Sequence, residues 1–344
     1  MKYYDGTKIL STLDVNGEKP EIYMITTNRT GGKTTFFSRM LVKRFLRSGR
    51  KFCLVQRFDG ELKGCSGTFF KDIETLFFKG HEMTEKLYKD LGYAELFLDG
   101  NPCGYAVAIN TADKIKKISH FFSDVDSMFM DEFQSETNHY CPGEVKKFIS
   151  LHTSIARGQS KQVRYVPVYM CANPVTLLNP YYNSLGISSR LHKDTKILRG
   201  EGWVLEQGFN ESAAKAQRDS AFNRAFANNA YVAYSSEGVY LNDSSAFVQK
   251  PKGRSRYIFT LKYGNKSFGV YEYMSEGIIY CSQKYDPGFP NRLVVTTEDH
   301  NINYLMLQRN ELLILQLRTL FERGCFRFSD LESKEVILKM LSYY

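Results

Sequence analysis

The sequence lacks the cysteine pattern of a zinc ribbon or a disulfide framework. Its seven cysteines are an odd number, they are widely spaced, and no two of them form a C-x-x-C pair. Such spacing favours a reducing compartment. The N-terminal stretch MKYYDGTKIL has no apolar core long enough for a signal peptide, and no apolar run approaches membrane-spanning length. These absences predict a cytoplasmic protein that does not contact a membrane.

Acidic residues are too few to balance the basic ones. The chain has 46 Lys and Arg against 37 Asp and Glu, which gives a net charge of +9. This excess favours a polyanionic partner, although basic residues that only keep a protein soluble would give the same balance. With 344 residues and 43% hydrophobic content, the chain can bury a full core. Its length suggests two domains joined by a connector.

The stretch EIYMITTNRTGGKTT at residues 21–35 carries the strongest chemical signal. Its apolar first part predicts a buried strand, residues 27–32 a phosphate-binding loop, and residues 34–47 a helix. Such a loop points backbone N–H groups and the positive end of the helix at phosphates. We expect Lys33 to reach the β and γ phosphates and the Thr34 hydroxyl to ligate Mg²⁺.

This loop departs from the usual G-x-x-x-x-G-K-[ST] pattern at its first position, where Thr27 replaces glycine. Threonine is β-branched and poorly suited to positive φ. Either the loop enters by a different backbone path, or Thr27 adopts an ordinary extended conformation. Gly31 and Gly32 remain in the half that touches a nucleotide. The alternative is a plain glycine-containing turn with a solvated lysine.

Two adjacent carboxylates end a second short apolar run. The sequence SMFMDEF at 127–133 predicts a strand that ends in Asp131 and Glu132. In a P-loop ATPase, the first such carboxylate holds Mg²⁺ and the second polarises the attacking water as a general base. An apolar run before Asp-Glu is common by itself. Downstream of a phosphate loop in an α/β pattern, it is a strong signal.

Two further predicted strands also end in polar residues. Residues 51–57 form a second buried strand, and its end, Gln56-Arg57, falls where a parallel sheet places functional groups. Residues 164–173 predict another core strand. Its last residue, Asn173, could sense the γ-phosphate or orient water, or simply begin the turn that the next proline enforces.

Between these strands the pattern predicts an amphipathic helix at 66–89 and a hairpin at 94–110. A further helix at 141–159 breaks around Arg157. This arginine is a candidate for insertion into a neighbouring subunit's site, because a guanidinium matches the developing charge of a γ-phosphate. A surface arginine at a helix end is the alternative.

The ordered set of motifs resembles the DNA-packaging ATPases of small protein-primed phages, of the phi-29 type. The resemblance covers nearly the whole chain and rests on NRTGGKT, KFCLVQRFDGELKG, LDGNPCGYAVAI, MFMDEF, SIARGQ, MCANPVTLLNPYY, SRYIFTLKYGNKSFGVYEYMSEGIIY and VVTTEDHNINYLML. It implies an α/β fold with an ASCE P-loop ATPase domain and a mainly parallel central sheet at 1–189. A linker or lid region at 190–240 and a small α+β RNase H-like domain at 241–344 would follow.

The C-terminal part fits this expectation by its strand pattern. Residues 213–230 predict the clearest helix of the connector. Alternation at 257–263, 267–273 and 277–282 predicts an antiparallel meander, followed by helices at 305–321 and 334–342. The first of these strands, YIFTLKY, has no carboxylate, so we interpret the domain as a vestigial nuclease that lacks its metal ligands.

Five basic residues near this meander have no acid between them, namely Lys250, Lys252, Arg254, Arg256 and Lys262. Such a group could contact nucleic-acid phosphates, or it could be a solvated loop. Nothing in the sequence predicts the reading of bases.

The resemblance also implies what the protein does. It implies a ring, pentameric as in the type member, that binds a prohead portal and drives double-stranded DNA inward with ATP and Mg²⁺. A packaging RNA would be a further partner where the phage has one. The expected location is the host cytoplasm, with transient attachment to the portal vertex and absence from the mature virion.

Carried over residue by residue, the resemblance assigns the site. Asp131 would be the Mg²⁺-associated carboxylate, with Thr34 as the other metal-binding residue. The catalytic residues would be Glu132 as the base, Lys33, and Arg157 as the trans-acting arginine. Asn173 would be a coupling residue. The predicted nucleotide-binding residues are Thr27, Asn28, Arg29, Thr30, Gly31, Gly32, Lys33, Thr34, Thr35 and Asn173.

Two other function classes remain compatible with the motifs. A P-loop nucleotide kinase would need its own acceptor pocket, and it would not account for the C-terminal domain. A non-catalytic nucleic-acid-binding scaffold would bind nucleotide through the altered loop without hydrolysing it.

Overall fold

The chain forms two compact units. The computed structural model describes residues 3–137, 139–177, 179–188, 190, 191, 195–226, 232, 247, 248, 250–306 and 310–342. The first unit comprises residues 1–174 and 194–239, and the second comprises 175–193 and 240–344. Within the described residues, no helix is both long and apolar enough to cross a membrane.

A nine-stranded sheet forms the framework of the first unit, in the order β3-β4-β5-β2-β6-β7-β1-β9-β8. Its six central strands, β5 to β9 in that order, are mutually parallel, and antiparallel strands form both edges. The strands are β1 Ile22–Thr26, β2 Lys51–Gln56, β3 Met83–Tyr88, β4 Tyr93–Leu98, β5 Asn101–Ala108, β6 Val125–Met130, β7 Val168–Ala172, β8 Ile197–Gly200 and β9 Trp203–Gln207.

Helices cover this sheet because its central strands are apolar on both faces. In β1, every residue after Ile22 is buried, as a strand between two parallel neighbours requires. The helices of the first unit are α1 Thr7–Leu10, α2 Lys33–Ser48, α3 Cys65–Phe77, α4 Ala112–Lys117, α5 Glu144–Ile155, α7 Glu211–Asp219 and α8 Ala221–Ala225. Phe37 and Leu41 bury one face of α2, and Gly49 ends it in a left-handed conformation.

The second unit contains a seven-stranded mixed sheet, in the order β10-β16-β13-β12-β11-β14-β15. Its strands are β10 Phe247–Val248, β11 Arg256–Tyr263, β12 Lys266–Tyr273, β13 Ile278–Ser282, β14 Arg292–Val294, β15 Leu305–Met306 and β16 Phe326–Phe328. Its helices are α6 Pro180–Ser184, α9 Glu311–Glu322 and α10 Leu331–Ser342. The strands β11, β12 and β13 form the predicted antiparallel meander, and β14 pairs in parallel with β11. That this sheet belongs to an RNase H-like domain stays a prediction.

The ranges of two predicted helices include residues that form strands in the structure. The helix predicted for 66–89 ends at Phe77, and β3 follows it, because the run from Met83 pairs with β4 at the sheet edge. The helix predicted for 305–321 is wrong in its first turn, where β15 pairs with β14; α9 begins at Glu311. In both cases strand pairing overrides the local apolar spacing.

The division of the chain differs from the predicted boundaries. Residues 175–193 belong to the second unit, although we predicted that the ATPase domain extends to residue 189. The predicted linker contributes the hairpin β8–β9 to the first sheet, because β9 pairs in parallel with β1 over its full length. The end of the helix predicted for 213–230 and the predicted boundary at residue 240 lie outside the described residues.

Candidate nucleotide-binding site

The turn between β1 and α2 contains two glycines at positions where a side chain would be crowded. Gly32 caps α2 with a φ of 92°, and a Cβ there would lie 3.0 Å from Cδ1 of Tyr3. At Gly31, a Cβ would lie 2.8 Å from Oγ1 of Thr27. The first backbone N–H groups of a helix have no acceptor inside it, so the N–H groups at the start of α2 can receive a phosphate.

Thr27 occupies the first loop position without left-handed strain. Among the described non-glycine residues with positive φ, the one in this loop is Thr30, at 58°. The Thr27 side chain is 2% exposed, and its hydroxyl donates to the carbonyl of Asn28 at 3.0 Å. Thr27 therefore enters the loop without the positive φ that a glycine could adopt at this position.

A second segment holds the loop in place, and no sequence motif predicted it. Asn28 Nδ2 donates to the carbonyl of Asn210 at 3.1 Å, and the N–H of Asn210 donates to Asn28 Oδ1 at 2.8 Å. The carbonyl of Gly31 accepts from Asn210 Nδ2 at 3.0 Å and from the N–H of Tyr4 at 2.8 Å. We call the contacts of Asn210 with Asn28 and Gly31 the loop clasp. A single asparagine between α7 and β9 offers no pattern that could predict it.

Lys33 lies at the centre of the site, at the ends of three neighbouring strands. It is 7% exposed, and its Nζ donates to Oδ1 of Asn173, the residue after β7, at 2.7 Å. Burial lowers the pKa of Lys33, and the charge of Asp131, the residue after β6, opposes this shift. The predicted lysine, amide and first carboxylate are therefore brought together.

The Asp131 carboxylate and the Thr34 hydroxyl form the part of the site that could hold a metal ion. Burial raises the pKa of Asp131, while the charge of Lys33 and a hydrogen bond from Thr34 oppose the rise. In the described residues, no group of three or more His, Cys, Asp or Glu could hold a metal ion by itself. One carboxylate and one hydroxyl fit Mg²⁺, which takes its other ligands from substrate phosphates and water.

Glu132 has an unusual backbone and a perturbed carboxyl group. Its φ is 54°, and its N–H donates to Oδ1 of Asp131 at 3.0 Å. Although the residue as a whole is exposed, partial desolvation, together with the charges of Asp131 and Glu136, raises the pKa of its carboxyl. A raised pKa suits a general base, because it increases the affinity of the carboxylate for a proton.

Arg29 forms an ion pair with a glutamate that no sequence motif indicated. Its Nη2 lies 2.6 Å from Oε1 of Glu136, and both side chains are about one-third exposed. Of the remaining predicted nucleotide-binding residues, Thr30 is exposed and Thr35 is half-buried in the first turn of α2.

Arg157 and Lys33 lie at opposite ends of the parallel strands. It follows the C-terminal end of α5, where Gly158 approaches Ser123, just before β6 begins. Asp131 follows the other end of β6, so the length of this six-residue strand, about 20 Å, separates the two residues. Arg157 is exposed, and no described residue pairs with its guanidinium. It cannot reach the site of its own subunit.

Comparison with known proteins places these features in a family. The sequence matches the podovirus DNA encapsidation protein (Gp16) family over residues 2–343. It is 23% identical over 303 residues to the DNA packaging protein of Bacillus phage phi29, covering 87% of this chain and 86% of the relative. For the corresponding protein of Bacillus phage B103, the identity is 23%, with 87% and 89% covered.

Solved structures support the same fold. The chain is similar to a protein of the bacteriophage Phi-29 viral genome packaging motor assembly, with a TM-score of 0.60 and 21% identity, over 98% of this chain and 99% of that one. A chain of the Phi-28 gp11 DNA packaging motor gives a TM-score of 0.60 at 15% identity, with 99% and 96% covered. The predicted fold class, a mostly parallel α/β domain followed by a smaller C-terminal domain, is confirmed.

Proposed function

Because the chain belongs to the podovirus DNA encapsidation protein family, as its motifs predicted, we propose that it is an ATP-hydrolysing motor that moves double-stranded DNA into a preformed prohead. One observation carries the proposal of ATP chemistry. The phosphate loop brings Lys33 against Asn173 and Asp131, at the ends of adjacent parallel strands.

ATP would bind beside contacts that these residues make with one another. The N–H groups at the start of α2 and the ammonium of Lys33 would hold the phosphates. Lys33 donates to Asn173 at 2.7 Å, and its ammonium has further N–H donors for a γ-phosphate. This shared contact supports the predicted coupling role of Asn173, because a γ-phosphate that draws Lys33 toward itself would change the contact with the amide.

Hydrolysis would use the carboxylates that follow β6. Thr34 and Asp131 would hold Mg²⁺, which would neutralise charge on the phosphates. Glu132 would accept a proton from the attacking water. Arg157 of a neighbouring subunit would stabilise the transition state, since the arginine of the same chain lies about 20 Å away. Hydrolysis would therefore depend on assembly into a ring, for which we keep the predicted pentamer.

The proposed partners are double-stranded DNA, the prohead portal and, where the phage has one, a packaging RNA. The motor would work in the host cytoplasm, attached transiently to the portal vertex. Of the predicted basic group, Lys250, Lys252, Arg254 and Arg256 are exposed, and Arg256 pairs with Glu272 at 2.6 Å. The exposed cations fit contact with phosphates, which would be independent of sequence.

The test is steady-state ATP hydrolysis with and without double-stranded DNA, beside Lys33→Ala and Glu132→Gln controls. We expect DNA of any sequence to stimulate hydrolysis and both variants to abolish it. Hydrolysis that ignores DNA, or that survives in Glu132→Gln, would contradict the assignment. Phosphoryl transfer to a small acceptor would favour a kinase, and tight ATP binding without turnover in the presence of DNA and prohead would favour a scaffold.

A further inference from the structure

We propose that Arg57 is a positioning residue for Glu132, and that it ties this carboxylate to the helix that ends beside Arg157. The inference rests on the proposed function, because it assigns Arg57 a part in the hydrolysis that Glu132 would perform.

The contacts of Arg57 carry the first step. Arg57 follows β2 directly, and it is 9% exposed. Its Nη2 donates to the carbonyl of Glu132 at 3.1 Å and to that of Phe133 at 2.9 Å. On the other side, its Nε lies 3.1 Å from both carboxylate oxygens of Glu144. One buried guanidinium thus joins the end of β2 to the backbone after β6 and to α5.

The backbone at Glu132 needs such support. A glutamate with a φ of 54° is in the left-handed region, which non-glycine residues adopt at a cost unless neighbouring contacts hold them there. The N–H of Phe133 donates to the carbonyl of Cys171 on β7 at 3.1 Å, and Arg57 holds the carbonyls of Glu132 and Phe133. Because the direction of the Glu132 side chain follows from this backbone conformation, loss of these contacts would let its carboxylate turn away from the phosphate loop.

The ion pair with Glu144 extends the connection. Glu144 begins α5, is 3% exposed, and also accepts from the N–H of Cys141 at 2.9 Å. The same helix ends at Ile155, two residues before Arg157. A displacement of α5 that follows the engagement of Arg157 by a neighbour would therefore reach Arg57 and Glu132. The pair connects the two catalytic groups that one chain contributes to two different sites.

The experiment separates positioning from stability with Arg57→Lys. A lysine keeps a positive charge beside Glu144, but it cannot hold two carbonyls and a carboxylate at once. A double variant, Arg57→Met with Glu144→Met, removes both buried charges together and avoids an unpaired Glu144. The matched control is Lys51→Met. Lys51 begins the same strand and pairs with Asp124 at 2.7 Å, far from the phosphate loop.

We measure the melting temperature, the ATP concentration at half-maximal rate, and kcat in the DNA-stimulated assay. In Arg57→Lys and in the double variant, we expect kcat to fall at least tenfold, with KM for ATP changed less than threefold. For Lys51→Met, we expect a lower melting temperature with unchanged kcat.

Parental kcat in Arg57→Lys and in the double variant would overturn the positioning role. A fall in kcat in Lys51→Met that accompanies its lower melting temperature, as in the Arg57 variants, would also overturn this role. The fall in kcat would then be a result of lost stability. Normal hydrolysis by Glu132→Gln would overturn the proposed base as well, and this outcome distinguishes a failure of the proposed function from a failure of the inference about Arg57 alone.

Discussion

The loop clasp makes a quantitative prediction for Asn210. Its Oδ1 accepts from the N–H of Ala213 at 3.0 Å, which caps α7, while its Nδ2 donates to the carbonyl of Gly31 at 3.0 Å. Replacing an N-cap asparagine by alanine costs about 1 kcal/mol, and the bond to Gly31 contributes about 1 kcal/mol more. Asn210→Ala should therefore lose about 2 kcal/mol of stability in the first unit. For a unit of this size, that corresponds to about 4–8 °C in melting temperature.

Asn210→Ser separates the two contributions. A serine can cap α7 as asparagine does, but it has no amide to donate to Gly31. Its stability loss should therefore be about half that of the alanine variant, or about 1 kcal/mol. Both variants lose the same bond to the phosphate loop, so both should raise KM for ATP about fivefold, the equivalent of about 1 kcal/mol.

Differential scanning fluorimetry and steady-state kinetics provide the assay, with the backbone contacts of Asn210 to Asn28 left intact in every variant. If Asn210→Ser melts like the parent and binds ATP equally well, the clasp does not position the loop. If both variants are equally unstable, the cap contributes nothing and the argument from α7 fails.

Three further predictions follow from the site. Arg157→Ala should lower kcat by about 10³-fold or more, and mixing it with Glu132→Gln should restore hydrolysis, because each subunit supplies the group that its neighbour lacks; a mixture as inactive as its components would refute the trans role. The pH profile of kcat/KM, which reports the free protein, should have an acidic limb with an apparent pKa above the ordinary range of a glutamate, because the base must be ionised and the pKa of Glu132 is raised. Glu136→Gln removes one of the charges that raise this pKa, so this variant's acidic limb should lie at lower pH. An unchanged limb would contradict the electrostatic cause. Thr27→Gly should destabilise the fold by about 1 kcal/mol through the added backbone freedom of glycine, as measured by fluorimetry, without lowering KM for ATP. A lower KM in the kinetic assay would show that Thr27 does strain the loop.

The sequence predicted those features that depend on strand ends. Residues 22–25, 52–55, 128–130 and 168–172 are apolar runs, and the polar residues that follow them lie at the same end of the parallel strands. That is why Lys33, Asp131 and Asn173 could be expected together before any contact was known. The chemical roles of these residues remain predictions.

The features that the sequence could not predict depend on contacts between distant segments. Asn210 meets Gly31 across 179 positions, and Arg57 meets Glu144 across 87. Neither pairing leaves a periodic pattern. The hairpin β8–β9 lies in the segment that we predicted to be a connector. Its two strands are short, and their place in the sheet depends on the pairing of β9 with β1.

Three polar groups of the site pair with other residues of the same chain, and under the proposed function these pairs have a mechanical consequence. Lys33 is bonded to Asn173, Arg29 to Glu136, and the carbonyl of Gly31 to Asn210. Under the proposed function, a triphosphate would take up N–H donors of Lys33 and Arg29 beside these partners or in their place, and the partners belong to separate segments around the sheet. A ligand shifts a conformational equilibrium by its differential affinity for the two states. Under the proposed function, an exchange of partners at Lys33 or Arg29 would supply such a difference, because Asn173 or Glu136 would then take a new position. ATP binding would therefore move the residues that follow β6 and β7 before any bond is broken, and hydrolysis with release of the γ-phosphate would allow the original pairs to form again.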